Sequence, residues 1–218
     1  MMKTLIVNLL QLSSITAQDV PASLDQAHIP FQAIDEVNWS AEYPYAPSVQ
    51  FRMAYMEDKI LIHYKVEEQS VRAVAEKDNG SVWQDSCCEF FVSPTDDGTY
   101  YNIEANCAGQ ILLANGAGRH DRTFADPTVI SQIDRWSSLG RTPFEEKIGN
   151  CAWEMALVIP TTVFFKHNRV QLKGQKMRAN FYKCGDLLQT PHFLSWNKID
   201  VPTPDFHRPE FFGMIEFR

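Results

Sequence analysis

The chain has 218 residues, of which 44% are hydrophobic and 22% charged, as is usual for a globular protein. This length suits one large β domain or two small ones. The formal net charge is −7 at pH 7, and without a basic run to neutralise phosphates the chain is not expected to bind nucleic acid or an anionic membrane surface.

The first 17 residues allow two interpretations. Residues 4–10 are apolar enough for a first β-strand, while residues 1–17 also have the order of a short signal peptide, with a lysine, an apolar stretch and small residues before a cleavage point. Asn8 and Gln11 interrupt the apolar stretch, which favours the strand. The strand is expected in a cytoplasmic protein, and the signal peptide in a periplasmic or secreted one. No stretch of the sequence reaches the roughly 20 apolar residues of a membrane span.

The next segments change from a helical to an alternating pattern. Residues 19–27 are predicted to form a short helix with a proline at an early position, and residues 39–47 a loop rich in proline and aromatic residues. Residues 49–55 and 60–66 each alternate apolar with other side chains, and a polar turn joins them. Two such runs predict a β-hairpin.

The remaining chain alternates short strands with turns. A polar connection is expected over residues 70–82, and a loop over the glycine-rich residues 114–128. A short helical turn is expected at 161–165, and a long connection at 186–210. The further predicted strands are 87–94, 99–109, 110–114, 153–160, 178–184 and 211–217.

Strands at this spacing, with almost no helical period, predict an all-β protein. The expected fold is an antiparallel β-sandwich, immunoglobulin-like or jelly-roll-like, with short helical turns. Trp153, Met155, Leu157 and Ile159 share one face of their strand and are expected in its core. No repeat or interdomain linker interrupts the pattern, so residues 1–218 are expected to form one domain.

The cysteines and acidic loops define no metal site. The five cysteines are an odd number without a CxxC pair, which predicts reduced, buried thiols rather than a disulfide framework. The adjacent Cys87 and Cys88 are expected on opposite faces of a strand, and the cysteine spacings do not match a zinc ligand set. Asp96, Asp97 and Asp121 offer oxygen ligands for a structural calcium ion, but the pattern is too weak to define a site. No cofactor is expected.

Three segments carry a resemblance to a known family. VWQDSCCEFFV at Val82–Val92 is followed by TYYNIEANCAGQI, WEMALVIP is followed by TTVFF, and the third segment is SWNKIDVPTPDFHRPEFFGMIEF. Together they resemble the family-nine carbohydrate-binding modules of the wider DOMON-like superfamily, over roughly residues 35–218. The resemblance implies a β-sandwich whose loops hold a mono- or oligosaccharide between two aromatic rings.

The resemblance also implies which residues contact the sugar. Trp83 matches the first aromatic plate, and Phe206, before the PEFFG segment, takes the position of the second plate, where the family has tryptophan. Trp196 is a nearby alternative plate. Glu89 matches the carboxylate that follows an Asp-Ser pair, with one extra residue in between. Glu104 stands where the facing strand of the family often offers an arginine.

The chemistry of sugars suits this set of residue types. Aromatic rings cover the apolar C–H faces of a pyranose, and carboxylates and amides hydrogen-bond its hydroxyl groups. Asp85 and Asn106 belong to the same predicted strand–turn–strand as Trp83, and Asn106 shares a face with Glu104. Arg208, close to the second plate, can hydrogen-bond a ligand or pair with a neighbouring glutamate.

Several of these candidates also have a purely structural interpretation. Trp83 can cap the core, Asp85 can cap a turn through backbone N–H groups, and Phe206 can pin a loop. Trp196 follows a leucine and fits the core.

A haem or redox DOMON-type domain needs axial ligands, usually Met and His, and the candidates Met53, Met155, His63 and His192 sit in no motif. Three further functions remain open on the sequence alone. Non-catalytic sugar binding is the one that the resemblance implies. A glycoside hydrolase needs two carboxylates about 5–10 Å apart, which Glu89 and Glu104 could provide on adjacent strands, but no catalytic motif accompanies them. The third is a structural or interaction domain that has lost sugar binding. Neither the particular sugar nor the oligomeric state follows from the sequence.

Overall fold

The computed structural model describes residues 2–218, in which β-strands dominate. Two α-helices, α1 (Val20–Gln26) and α2 (Pro127–Ile130), lie between strands. No helix within the described residues has the length and apolar character that a membrane crossing requires. In chain order the strands are β1 (Thr4–Leu9), β2 (Gln32–Ala33), β3 (Glu36–Val37), β4 (Ser48–Met56), β5 (Lys59–Ala73), β6 (Cys87–Ser93), β7 (Tyr100–Asn106), β8 (Ile111–Gly116), β9 (Arg122–Phe124), β10 (Asp134–Ser137), β11 (Phe144–Pro160), β12 (Lys176–Cys184), β13 (Phe193–Ser195) and β14 (Gly213–Phe217).

The strands form two sheets that pack face to face, which confirms the predicted all-β sandwich. Sheet I has the order β1-β14-β12-β6-β7-β8-β9, and sheet II the order β10-β11-β5-β4-β1. β1 belongs to both sheets, because residues 4–7 pair in parallel with β14 and residues 8–9 with β4. β13 pairs with β12 and β3, and β2 pairs with β4.

The elements predicted from local patterns are confirmed. The first strand, the short helix at residues 20–26 and the hairpin of β4 and β5 are all present. β6, β7 and β8 form the predicted meander, in which each strand pairs with the next. The turn after β11 is a 3₁₀ turn at Thr161–Val163.

Four predicted loops or strand ends differ from the structure. β5 continues to Ala73, β9 lies within residues 114–128 and α2 begins there, and β13 lies within residues 186–210. β11 begins at Phe144, nine residues before the predicted start at Trp153. The first half of β11 is largely exposed and shows no alternation of apolar residues. This segment is a strand because it pairs with the edge of β5, where Phe144 lies opposite Ala73. Pairing partners distant in sequence leave no local signal.

Aromatic rings fill the core between the sheets. Phe181 of sheet I stacks on Phe51 of sheet II at 3.7 Å between ring centroids, and on Phe90 at 4.9 Å. Trp196 packs edge-on against both Phe51 and Phe181. The face of β11 that carries Trp153 is buried in this core, as the alternation predicted.

Both outer faces of the sandwich are also partly covered. On sheet II, α1 places Val20 and Leu24 against Ala54, Leu61 and other small or apolar side chains. On sheet I, residues 38–45 and the connection from β13 to β14 lie over the strands. As a result β6 and β7 are buried on both faces.

All five cysteines are free. Cys88 faces the core between the sheets and Cys87 the outer face of sheet I, which confirms their predicted alternation. Cys151 is only partly buried, so the prediction of buried thiols holds for the other four.

A buried ion pair links the two sheets at one end of the core. The Nζ of Lys183 on β12 lies 2.8 Å from the Oε2 of Glu68 on β5, and both side chains are fully buried. The indole of Trp153 donates to the other carboxylate oxygen of Glu68 at 2.7 Å. The Lys183 ammonium also lies 2.6 Å from the Nε2 of His192, and burial together with this ammonium holds the pKa of His192 well below its usual range, so the imidazole is neutral.

Replacement of Lys183 by methionine should destabilise the fold by about 3–5 kcal/mol, because it leaves the Glu68 carboxylate buried without its cation. Urea denaturation at constant pH measures the difference. Lys176→Met is the control: its ammonium lies 3.7 Å from Glu216 at an exposed position, and its loss should change the unfolding free energy by less than about 1 kcal/mol. Equal effects of the two substitutions would contradict a structural role for the buried pair.

Candidate functional site

A cavity of about 460 Å³ opens on the outer face of sheet I. Strands β6, β7 and β12 provide its floor, and the connections before β6, after β8, after β12 and before β14 provide its walls. Its lining combines aromatic rings with charged groups of both signs. The aromatic lining residues are Tyr43, Trp83, Phe193 and Phe206, the acidic ones are Glu89, Glu104, Asp186 and Asp205, and the basic ones include Arg119 and Arg122.

Two aromatic side chains of the cavity come from opposite parts of the chain. Trp83 lies on the 3₁₀ turn before β6 and is partly exposed, and its ring makes no aromatic contact with the residues that the structure describes. Phe206 lies on the connection to β14, where its ring stacks on Tyr182 at 4.3 Å with only 7° between the planes. The Tyr182 hydroxyl donates to the backbone carbonyl of Phe206 at 3.1 Å. Trp83 therefore packs against the apolar cluster on the outer face of sheet I and remains partly exposed at the cavity, whereas Phe206 is held rigidly with one face covered.

Asp85 and Asn106 hold the Trp83 turn in place from behind the cavity. The buried carboxylate of Asp85 accepts hydrogen bonds from the backbone N–H groups of Val74 and Ala75, and from the amide of Asn106 at 2.9 Å. The Asn106 carbonyl oxygen in turn accepts from the backbone N–H of Gln110. The structural interpretation of Asp85, as the cap of a turn, thus agrees with its hydrogen bonds.

The floor of the cavity carries two carboxyl groups on adjacent strands. Glu89 of β6 lies directly opposite Glu104 of β7, and both are almost completely buried. Burial, followed by the charge of Glu104, raises the pKa of Glu89 well above its usual range. Burial also raises the pKa of Glu104 to about 7, although Arg122 and a hydrogen bond from Asn102 act in the opposite direction. Burial likewise raises the pKa of Asp186 to about 6.

Basic groups above the floor balance part of this charge. The Nη1 of Arg122 on β9 lies 3.6 Å from Glu104 and 3.5 Å from the Nε2 of His207. Arg119 and Asp205 form an ion pair of 3.1 Å at the cavity wall. The resemblance to carbohydrate-binding modules implies a departure at Glu104, where the family often has an arginine, and in this structure the Arg122 guanidinium lies next to the Glu104 carboxyl group.

The structure brings together four of the eight predicted ligand contacts. Trp83, Glu89, Glu104 and Phe206 line the cavity. The other four do not line it: Asp85 and Asn106 support the turn below Trp83, and Trp196 is 2% exposed in the core between the sheets. Arg208 lies at the surface, where it forms an ion pair of 2.7 Å with Glu210.

Sequence analysis missed further lining residues for two reasons. Arg119, His120 and Arg122 lie in the segment that was predicted to be a loop without strands, which gave no hint of their direction. Cys184 ends β12 and Asp186 follows it, far in sequence from the motif around Trp83. The two-residue period of β12 places Tyr182 and Cys184 on one face, but only the fold shows that this face is the cavity floor.

The acidic loops gain no support as a calcium site. One carboxylate oxygen of Asp97 accepts from the backbone and hydroxyl of Thr99, both at 2.9 Å. Its other oxygen lies 2.9 Å from the Nε2 of His167. The carboxylate of Asp97 is thus already engaged within the protein.

A β-sandwich with a concave, aromatic and polar cavity on one sheet face has the architecture of a ligand-binding module. A family model described as carbohydrate-binding family 9 matches residues 18–217. The chain therefore belongs to carbohydrate-binding family 9. No curated protein matches the chain.

Solved structures share the fold. A protein from Bacteroides uniformis ATCC 8492, with an inferred carbohydrate-binding role, is 50% identical with a TM-score of 0.97, and the match covers 100% of both chains. A family-9 module from Caldicellulosiruptor kristjanssonii in complex with cellotriose is 11% identical with a TM-score of 0.60, covering 99% of this chain and 94% of that one. A family-9 module from the same organism in complex with glucose gives 12% identity, a TM-score of 0.56 and coverage of 99% and 96%.

Replacement of Glu104 by glutamine should change how stability depends on pH. A carboxyl group with a raised folded-state pKa binds its proton more tightly when folded, so it destabilises the protein as the pH rises from the unfolded to the folded pKa. For Glu104 these values are 4.5 and about 7. Between about pH 5 and pH 8, we expect the wild-type protein to lose about 1–3 kcal/mol of unfolding free energy relative to Glu104→Gln.

Chemical denaturation at several pH values measures this difference in unfolding free energy. A chelator is present to keep metal ions off the carboxyl groups. Glu57→Gln is the control, since Glu57 is exposed in the turn between β4 and β5 and does not line the cavity; it shows how the loss of a carboxyl group elsewhere changes the unfolding free energy at each pH. If the difference in unfolding free energy between the wild type and Glu104→Gln did not change with pH, the pKa of Glu104 would not be raised in the folded protein.

Proposed function

We propose that this protein binds a mono- or oligosaccharide reversibly in the cavity on the outer face of sheet I, as a single module that does not cleave it. The observation that carries the proposal is the composition of this one cavity, where aromatic rings stand over a floor of buried carboxyl groups. Its volume of about 460 Å³ falls in the usual range for small-molecule sites, about 300–1,000 Å³.

Each part of the cavity has a role in such binding. The partly exposed ring of Trp83 is suited to the C–H face of a pyranose, and Phe206 provides a second aromatic wall. Glu89 and Glu104 can hydrogen-bond hydroxyl groups, as acceptors when ionised and also as donors when protonated. The guanidinium of Arg122 can donate to a ring or hydroxyl oxygen beside them.

The ligands of the related structures make glucans the first sugars to test. The two Caldicellulosiruptor kristjanssonii modules hold cellotriose and glucose. Because their sequences are only 11% and 12% identical to this chain, a broader glycan panel belongs in the same experiment. Binding of no sugar in that panel would favour an interaction domain that has lost its sugar site.

Replacement of Trp83 by alanine should weaken sugar binding at least about tenfold, or roughly 1.4 kcal/mol, because the sugar loses its stacking partner and the apolar area that the ring covers. Isothermal titration calorimetry with the best ligand of the panel measures the change. Trp136→Ala is a matched control, since Trp136 is also partly exposed but lies on sheet II. Unchanged affinity in Trp83→Ala, with a folded protein, would exclude the aromatic model.

One observation favours a second function. The facing pair of Glu89 and Glu104, with pKa values raised to different extents, resembles the arrangement of an acid and a base in glycoside hydrolases. We nevertheless expect no bond cleavage, since the family consists of binding modules.

Incubation with an oligosaccharide panel, followed by chromatography of the products, tests this expectation. Intact sugars should be recovered in full after prolonged incubation. Products that disappear with Glu89→Gln, but persist with the control Glu57→Gln, would show that the protein is a hydrolase.

A further inference from the structure

Two cysteines and a glutamate converge at the floor of the cavity. The Sγ atoms of Cys87 and Cys184 and a carboxylate oxygen of Glu89 all lie within 4.8 Å of one another, and all three residues are buried. Cys184 of β12 lies directly opposite Cys87 of β6. Glu89 follows two residues further along β6, so its side chain points to the same face.

These donor atoms match the preferences of a thiophilic divalent ion. In tetrahedral zinc sites, Zn–S bonds of about 2.3 Å and Zn–O bonds of about 2.0–2.2 Å place the ligand atoms less than about 4 Å apart. The Sγ of Cys184 already lies 3.1 Å from Oε1 of Glu89. Binding of one ion therefore requires the two sulfurs and one oxygen to move from within 4.8 Å of one another to within about 4 Å.

The surroundings leave one coordination position open. Cys184 and Glu89 line the cavity, whereas Cys87 lies beneath it. Asp186, two residues after Cys184, lines the same cavity and can provide a fourth ligand. Arg119 and Arg122 line it too, and their charges offset the excess negative charge of two thiolates and a carboxylate around a divalent ion.

The other cysteines have no comparable setting among the described residues. Cys88 and Cys107 lie in the apolar core between the sheets. Cys151 is partly buried, and its Sγ has only a backbone carbonyl nearby, at 3.7 Å. Among the residues that the structure describes, two thiols lie next to a carboxylate and open to a cavity only at the floor of this site.

We propose that Cys87, Cys184 and Glu89 bind one divalent ion of the zinc class, with the remaining coordination position facing the cavity. The sequence spacing between the two cysteines does not suggest this site, because the ligands come from two strands that pair only in the folded protein. The inference does not depend on sugar binding, although both uses of the cavity involve Glu89.

Cobalt(II) spectroscopy of the reduced, metal-free protein tests the proposal. We expect one equivalent of Co²⁺ to produce a thiolate-to-cobalt charge-transfer band in the near ultraviolet, with the intense visible bands of tetrahedral coordination. Zn²⁺ should displace the cobalt and remove both signals. Cys87→Ser and Cys184→Ser should each weaken Zn²⁺ binding more than about 100-fold, since even outer-shell changes reduce metal affinity 10- to 100-fold.

Cys151→Ser is the matched control and should bind Co²⁺ with an unchanged spectrum. Absence of a charge-transfer band in the wild-type protein, or its persistence in Cys184→Ser, would overturn the proposal. If the serine variants do not fold, thiol alkylation of the wild-type protein provides the test. Saturating Zn²⁺ should protect Cys87 and Cys184, but not Cys151, as mapped by peptide mass spectrometry.

Two further results separate this proposal from sugar binding. Equal alkylation of Cys184 with and without Zn²⁺, or a Cys87–Cys184 disulfide that persists in protein prepared with Zn²⁺, would exclude the metal site. Sugar titrations in the presence of a chelator report on the cavity alone, so the sugar proposal can hold when the metal proposal fails. The reverse outcome, Co²⁺ binding without binding of any sugar in the panel, would leave a metal site in a module of another function.

Discussion

The cavity exists because the chain between β13 and β14 is held over the outer face of sheet I. Three hydrogen bonds attach it to residues 38–39: the Asn38 amide donates to Ser195, the Ile199 N–H donates to Asn38, and the Trp39 indole donates to the Val201 carbonyl, each at 2.8 Å. An antiparallel sheet can leave one face in water. Here the covering chain turns that face into a second interior, and the polar residues of β6 and β7 are buried with it.

This second interior determines the chemistry of the site. Glu89 and Glu104 would be ordinary surface carboxylates on an open sheet face, but under the covering chain they lose most of their hydration. A ligand that hydrogen-bonds to them therefore meets partners that are already desolvated and fixed on strands. A hydrogen bond to such a group contributes about 0.5–1.5 kcal/mol when the carboxyl group is neutral and about 1.5–3 kcal/mol when it is ionised, which suits recognition of a ligand as polar as a sugar.

The sequence was informative wherever a signal was local. Alternation predicted the strands of the hairpin and the meander, and the motif around Trp83 and Glu89 predicted part of the cavity lining. Two kinds of feature escaped it. Arg122 became relevant only because β9 adds to the edge of β8, and Cys87 and Cys184 became neighbours only through the pairing of β6 with β12. Trp196 and Phe206 lie on the same connection, and the sequence offers both as aromatic plates for a sugar. Strand β13 and the segment after it direct Trp196 into the core between the sheets and Phe206 over the outer face of sheet I.

The crossing of β1 between the sheets also bears on how the protein folds. β1 joins sheet II through β4 and sheet I through its parallel pairing with β14, where Thr4 lies opposite Met214. The connection between the sheets thus involves residues from opposite ends of the described chain. Contacts so distant in sequence are slow to form. Because β14 follows directly after the segment that carries Phe206, we expect the sandwich and its cavity to be completed together, when β14 pairs with β1. Until then, the edges of β12 and β1 that pair with β14 lack this partner, and the folding chain must be protected from pairing with other strands at those edges.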